Sequence, residues 1–224
     1  RVPELLKQLE NSGLVMAIDS EYRLQTKESS AWHDEYRKHE AELANNPSRV
    51  DQERVTLFRK AVGEAMKDVR PAQGQCKEVR TVTPCFESTL PGDANKKIYV
   101  WIRDGWQMDE KSAIAEARNM GPQSPTIFVY IPRYAADEMN RTIITLMAAN
   151  ATLDIRGTPS TPEAEDARSA MQTRFNNADK NVKTLLKETF DNVRVFQAGG
   201  NEITENTFSD QLMKAASNSL IRLY

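Results

Sequence analysis

The chain has 224 residues, long enough to bury a sizeable core as one large domain or two smaller ones. Lys plus Arg number 30 against 32 for Asp plus Glu. That balance gives no overall electrostatic footprint for nucleic acid or an anionic membrane, and no apolar run approaches the roughly 18 residues of a membrane span. Cys76 and Cys85 are the only cysteines and form no C-x-x-C pair, so they read as reduced thiols rather than a zinc or redox site.

In chain order, Val2, Leu5, Leu6 and Leu9 recur at helical spacing, and Gly13 is a plausible stop. Leu14 to Asp19 and Tyr22 to Thr26 then read as two short strands around Ser20 and Glu21. A helix followed by a ribbon resembles the last helix and wing of a winged helix whose earlier helices are absent. With Arg1 in place of a Met, segment 1–27 reads as a remnant within a longer protein. Lys7, Arg23 and Lys27 are its candidate DNA contacts through phosphate. Winged helices also dock proteins, and the thin charge makes docking the preferred reading.

Segment 28–70 reads as a helical connector. Trp32, Tyr36 and Leu43 mark a first helix, and Asn46-Pro47 caps and starts a second. Val55, Phe58, Val62, Ala65, Met66 and Val69 form a narrow stripe on that second helix. His33 and His39, the only histidines, fall on different helix faces, which predicts solvent exposure rather than a metal pair.

Arg70 to Gly74 is the clearest boundary, and segment 75–224 reads as an α/β domain. Val79 to Phe86 is a strand weakened by Pro84, and Leu90 to Asn95 is a turn. Ile98 to Ile102 and Ile127 to Ile131 are apolar runs flanking a short amphipathic helix, the composition of a βαβ unit with adjacent parallel strands buried on both faces. A helix over Ala135 to Ile155 follows, then a long one over about 162–190. The latter carries Met171, Phe175, Ala178, Val182 and Leu185 at heptad spacing and is expected to project and pack on a partner or on the Val55 to Val69 helix. Val193 to Phe196 is a last strand, Gly199-Gly200 a turn, and Phe208 to Leu223 a final helix. The expected fold is a helix-rich mixed α/β chain with a mainly parallel sheet.

Catalytic signatures are absent from the sequence. Neither G-x-x-x-x-G-K-[ST] nor G-x-G-x-x-G occurs, and a triad would lack a convincing histidine base. Asp104, Asp109, Glu110 and Lys111 can be forced into a nuclease-like pattern, but Asp109 reads better as a helix cap. One constellation remains. Arg103, Asp104 and Trp106, then Arg133 and Tyr134, then Gly199, Gly200 and Asn201 each follow a predicted strand. In a parallel sheet these loops would share the edge where open α/β sheets place ligand crevices. The arginines would meet an acidic ligand or partner, with Trp106 as an apolar anchor. The competing reading is that the arginines pair locally and Trp106 plugs the core.

The phrases VWIRDGW, SPTIFVYIPR, ATLDIRGTPSTPEAEDARSAM and RVFQAGGNEI resemble the BrxC/PglY family, the large P-loop ATPases of BREX phage-defence systems. The resemblance is strongest from Ile98 to Ile203. It implies a piece of a bacterial cytoplasmic protein that works with a DNA methyltransferase, an alkaline-phosphatase-like protein and small accessory proteins. The ATPase motor, with its ATP and Mg, would lie outside this segment, so no family ATP-binding residue carries over. The expected function is a non-catalytic structural or docking region that relays motor conformation. The alternatives are a DNA-binding module of the same defence complex and a small-molecule-sensing α/β domain. Homo-oligomerisation through the full-length protein is left open. Arg103 and Trp106 are expected to matter more for defence than for folding.

Overall fold

The structure, a computed structural model, describes residues 2–11, 15–18, 21–24, 26–73, 78–94 and 97–223. Gly13, Ser20, Gly74, Cys76 and the Arg23 side chain lie outside what is described. The elements in chain order are α1 (Val2–Asn11), β1 (Val15–Ile18), β2 (Glu21–Leu24), α2 (Lys27–Ala44) and α3 (Pro47–Met66). Next come β3 (Ala72–Gln73), β4 (Glu78–Val79), β5 (Val82–Cys85), β6 (Ile98–Asp104), α4 (Glu110–Asn119) and β7 (Ile127–Ile131). The chain continues through α5 (Ala136–Arg156), α6 (Pro162–Asp191), β8 (Arg194–Gln197), β9 (Glu202–Ile203) and α7 (Phe208–Leu223). No helix among the described residues is long and apolar enough to cross a membrane.

Two compact units form, and neither is continuous in sequence. One comprises Arg1–Arg54 with Asp137–Lys183, the other Val55–Ala136 with Thr184–Tyr224. This differs from the three consecutive segments that the linear reading expects, because residues distant in sequence share each core.

The second unit is built on a five-stranded sheet of order β5-β6-β7-β8-β9. Its strands sort their side chains by period-two alternation. Ile98, Val100, Ile102, Ile127, Val129, Ile131 and Val195 join one cluster with Phe58 and Val62 of α3 and with Leu212 and Ala216 of α7. Tyr99, Trp101, Phe128, Tyr130 and Phe196 form the other, over Ala113 and Ala117 of α4. Branched aliphatics thus take one face and aromatics the other, where small alanines leave room for the rings. The expected Val55 to Val69 stripe serves this sheet: Phe58, Val62 and Val69 are buried in its core.

β6 pairs parallel with both β5 and β7, as the βαβ composition predicts. The sheet is nevertheless mixed rather than mainly parallel, because β8 runs antiparallel to β7 and β9 antiparallel to β8. The reason is topological. One helix, α4, joins β6 to β7 as the crossover of a parallel pair, whereas two helices, α5 and α6, lie between β7 and β8. The single strand expected over Val79 to Phe86 is also split. Its first part pairs as β4 with β3, and β5 joins the main sheet beside β6 alone, an edge position that tolerates Pro84.

The first unit is helical apart from the antiparallel β1–β2 ribbon. Thr26 caps α2 reciprocally with Ser29: its hydroxyl accepts from the Ser29 amide at 3.1 Å, while the Ser29 hydroxyl accepts from the Thr26 amide at 2.8 Å. Trp32, Tyr36 and Leu43 of α2 pack with Ala148 and Ala149 of α5 and with Ala167 and Met171 of α6. The N-terminal half of α6 belongs to this core, while Leu186 and Phe190 pack into the core of the sheet unit. There Phe190 meets Phe58 of α3 edge-on, the packing on the Val55 to Val69 helix that the sequence offered as one alternative. Arg156 ties the end of α5 to α2 by donating to the Ala31 carbonyl at 2.6 Å.

Candidate functional site

β6 and β7 end side by side, and their loops are locked together. The Gly105 amide donates to the Ile131 carbonyl at 2.8 Å. A Cβ at Gly105 would lie 2.6 Å from the Arg133 amide nitrogen and 2.9 Å from the Tyr130 hydroxyl, so only glycine fits this approach. Asp104 holds the turn with one carboxylate oxygen, which accepts from the Trp106 amide at 2.8 Å and the Gln107 amide at 3.2 Å. Asp109 is the α4 cap, accepting from the Ser112 amide at 2.9 Å, and those hydrogen bonds hold its carboxyl below the usual carboxylate range. The nuclease-like arrangement therefore has this carboxylate at a helix start.

Arg103 is only 11% exposed at its side chain and is committed internally. Its Nε donates to Glu116 of α4 at 2.7 Å, and its terminal nitrogens donate to the Ser88 carbonyl at 3.1 Å and the Glu87 carbonyl at 3.3 Å. Its guanidinium lies 3.7 Å from the Trp101 ring centroid, and Trp101 in turn donates to the Glu87 carbonyl. Trp106 is half-buried and meets Phe58 edge-on, with ring centroids 5.6 Å apart. A cavity of about 280 Å³ beneath this edge is lined by Phe58, Phe86, Arg103, Asp104, Gln107 and Glu116, so its arginine is already neutralised by its own glutamate.

The loop after β7 is different. Arg133 is exposed and forms no ion pair among the described residues, and Tyr134 is 38% exposed. Ala135 adopts φ +41, a conformation disfavoured for a residue with a Cβ. The structure therefore brings Arg103, Asp104, Trp106 and Arg133 together but gives Arg133 and Tyr134 the exposed positions.

Gly199, Gly200 and Asn201 are not part of this edge. Because β8 is antiparallel, they form the β8–β9 turn at the opposite end of β7. Both glycines take left-handed φ values of +95 and +88. The Gly199 amide donates to the Ala117 carbonyl at 2.7 Å, and a Cβ on Gly200 would lie 2.5 Å from Arg118 Cγ. Asn201 closes the hairpin by accepting from the Gln197 amide at 2.8 Å.

Of the candidate DNA contacts, Lys7 on α1 and Lys27 at the start of α2 are exposed. The histidines are less exposed than their positions in a polar helix predict. His39 is 13% exposed between Glu35 at 3.1 Å and Glu42 at 3.6 Å, and His33 is half-buried beside Tyr36. Burial first, then the charges of Arg37 and Arg174, hold the His33 imidazole below the ordinary histidine value. Among the described residues no group of three or more His, Cys, Asp or Glu could hold a metal ion. No protein-family model, curated protein or solved structure matches the chain significantly.

Sequence reasoning missed Glu116, Glu87 and Ser88 as the groups that hold Arg103. It also missed the burial of His33 and the approach of Arg174 to it. Neither has a local motif, because each depends on elements brought together from distant parts of the chain.

Proposed function

We propose that this chain is a non-catalytic structural and interaction region of a BREX phage-defence ATPase, and that the loop after β7 docks another component of that system. The carrying observation is the division of labour at one strand edge. Arg103 and Asp104 are bound into the turn, while Arg133 and Tyr134 stand exposed on a backbone fixed by Gly105. Arginine and tyrosine on a rigid support are the residue types that dominate interface energies. The phrases VWIRDGW and SPTIFVYIPR, which carry the resemblance, fall on these same two strands and loops.

In this reading ATP and Mg belong to the motor of the parent protein, which would work in the bacterial cytoplasm. α1 and the β1–β2 ribbon would be the remnant of a winged helix, whose apolar face includes the exposed Val2 and Leu5. The partners are the methyltransferase, the phosphatase-like protein or a small accessory protein. Binding of the purified chain to each component by interferometry tests the reading. One component should bind, and Arg133→Ala with Tyr134→Ala should weaken it by about 2 kcal/mol or more. Binding to no component, together with steeply salt-dependent binding to duplex DNA, would instead favour the DNA-binding module.

A further inference from the structure

The helical unit holds an open cavity of about 250 Å³ lined by residues of α2, α5 and α6. Its ionisable lining residues are His33, Arg141 and Arg174; no Asp or Glu contributes among the described residues. Neither arginine forms an ion pair among the described residues. Arg174, half-buried, is held with its guanidinium 4.5 Å from the Tyr36 ring centroid. Arg141 stands exposed and donates its Nε to the Asp137 carbonyl at 3.2 Å. Its most buried lining residues are largely apolar, with Trp32 at 3% and Met171 at 5% exposure, and Ser29 is the buried polar one.

Cations in a partly buried cavity whose lining carries no carboxylate are less fully compensated than a paired arginine. Burial first, then the charges of Arg37 and Arg174, lower the His33 basicity, while Asp34 and Glu40 nearby act against them. This is unlike a solvated basic helix face, because an apolar wall lies behind the charges. Ligand sites combine such walls with a few convergent polar groups.

We propose that this cavity binds a small organic phosphate, with Arg141 and Arg174 holding the phosphate and Trp32 and Met171 packing against its apolar body. Guanidinium groups suit the phosphate geometry through paired N–H donors. Aromatic packing adds affinity that inorganic phosphate cannot obtain. The site is independent of the docking reading, since it uses different residues in the other unit.

Calorimetric titration of the intact chain at low salt with phenyl phosphate, inorganic phosphate and phenol provides the test. Phenyl phosphate should bind saturably and about tenfold or more tightly than either fragment. Arg174→Gln and Arg141→Gln should each weaken it about fivefold or more, while Arg133→Ala should leave it unchanged. Arg141 is at the exposed mouth, so its variant gives a folded protein even if Arg174→Gln disturbs the packing of Tyr36. Absence of saturable binding at millimolar phenyl phosphate overturns the proposal. So does binding that survives Arg141→Gln, or inorganic phosphate binding as tightly as phenyl phosphate.

Discussion

The two cavities are close in size and opposite in electrostatic character. In the sheet unit, Arg103 lines about 280 Å³ together with Glu116, which neutralises it, and with carbonyl acceptors close by. In the helical unit, Arg141 and Arg174 line about 250 Å³ with no carboxylate in the lining among the described residues. A satisfied guanidinium contributes to folding, whereas an uncompensated one contributes little or weakens it and is available to a ligand. The same residue type thus points to structure in one place and to recognition in the other.

The largest expected effect bears on the sheet unit itself. Val129 is fully buried on β7, between β6 and β8. Val129→Asp would bury a carboxylate without a partner and should leave the protein unfolded or insoluble. A soluble variant that still melts cooperatively would mean that β7 is not central.

Arg103→Ala comes next. Removing several charge-assisted hydrogen bonds should cost about 2 kcal/mol and lower Tm by several degrees, measurable by calorimetry. Arg141→Gln should by contrast change stability by no more than about 0.5 kcal/mol. Equal losses for the two variants would erase the distinction between the cavities.

The smallest effect concerns pH. Arg194 of β8 is paired with Glu202 at 2.6 Å and also with Glu110. The hydrogen bond from Arg194 holds the Glu202 carboxyl below its ordinary value. The unfolded chain then takes up this proton first as pH falls, so the stabilisation is present near neutrality and is lost in acid, below about pH 4.3. Both side chains are over one-third exposed, so the contribution stays under about 1 kcal/mol. Arg194→Gln should flatten this acid slope in urea titrations; an unchanged slope would show that the pair contributes nothing.

Much of the sheet was legible in the alternation of IYVWI and IFVYI, because period two sends aliphatics and aromatics to opposite faces. Pro162 and Asp109 also marked helix starts that the structure retains. The antiparallel direction of β8 was not legible, because an apolar strand carries no mark of its direction, and the sheet was expected to be mainly parallel. The partners of Arg103 and the gathering of His33, Arg141 and Arg174 were not. Those depend on which helix faces meet, and no spacing within one element encodes that.

On the proposed BREX reading, the most direct test of the docking account uses the full-length defence protein that reading implies, carrying Arg133→Ala and Tyr134→Ala, scored for phage protection, with Tm of the same variant measured alongside. The account predicts that protection is lost while Tm stays within about 2 °C, since exposed substitutions seldom change stability by more than about 0.5 kcal/mol. Full protection by a variant with an unchanged Tm would contradict it.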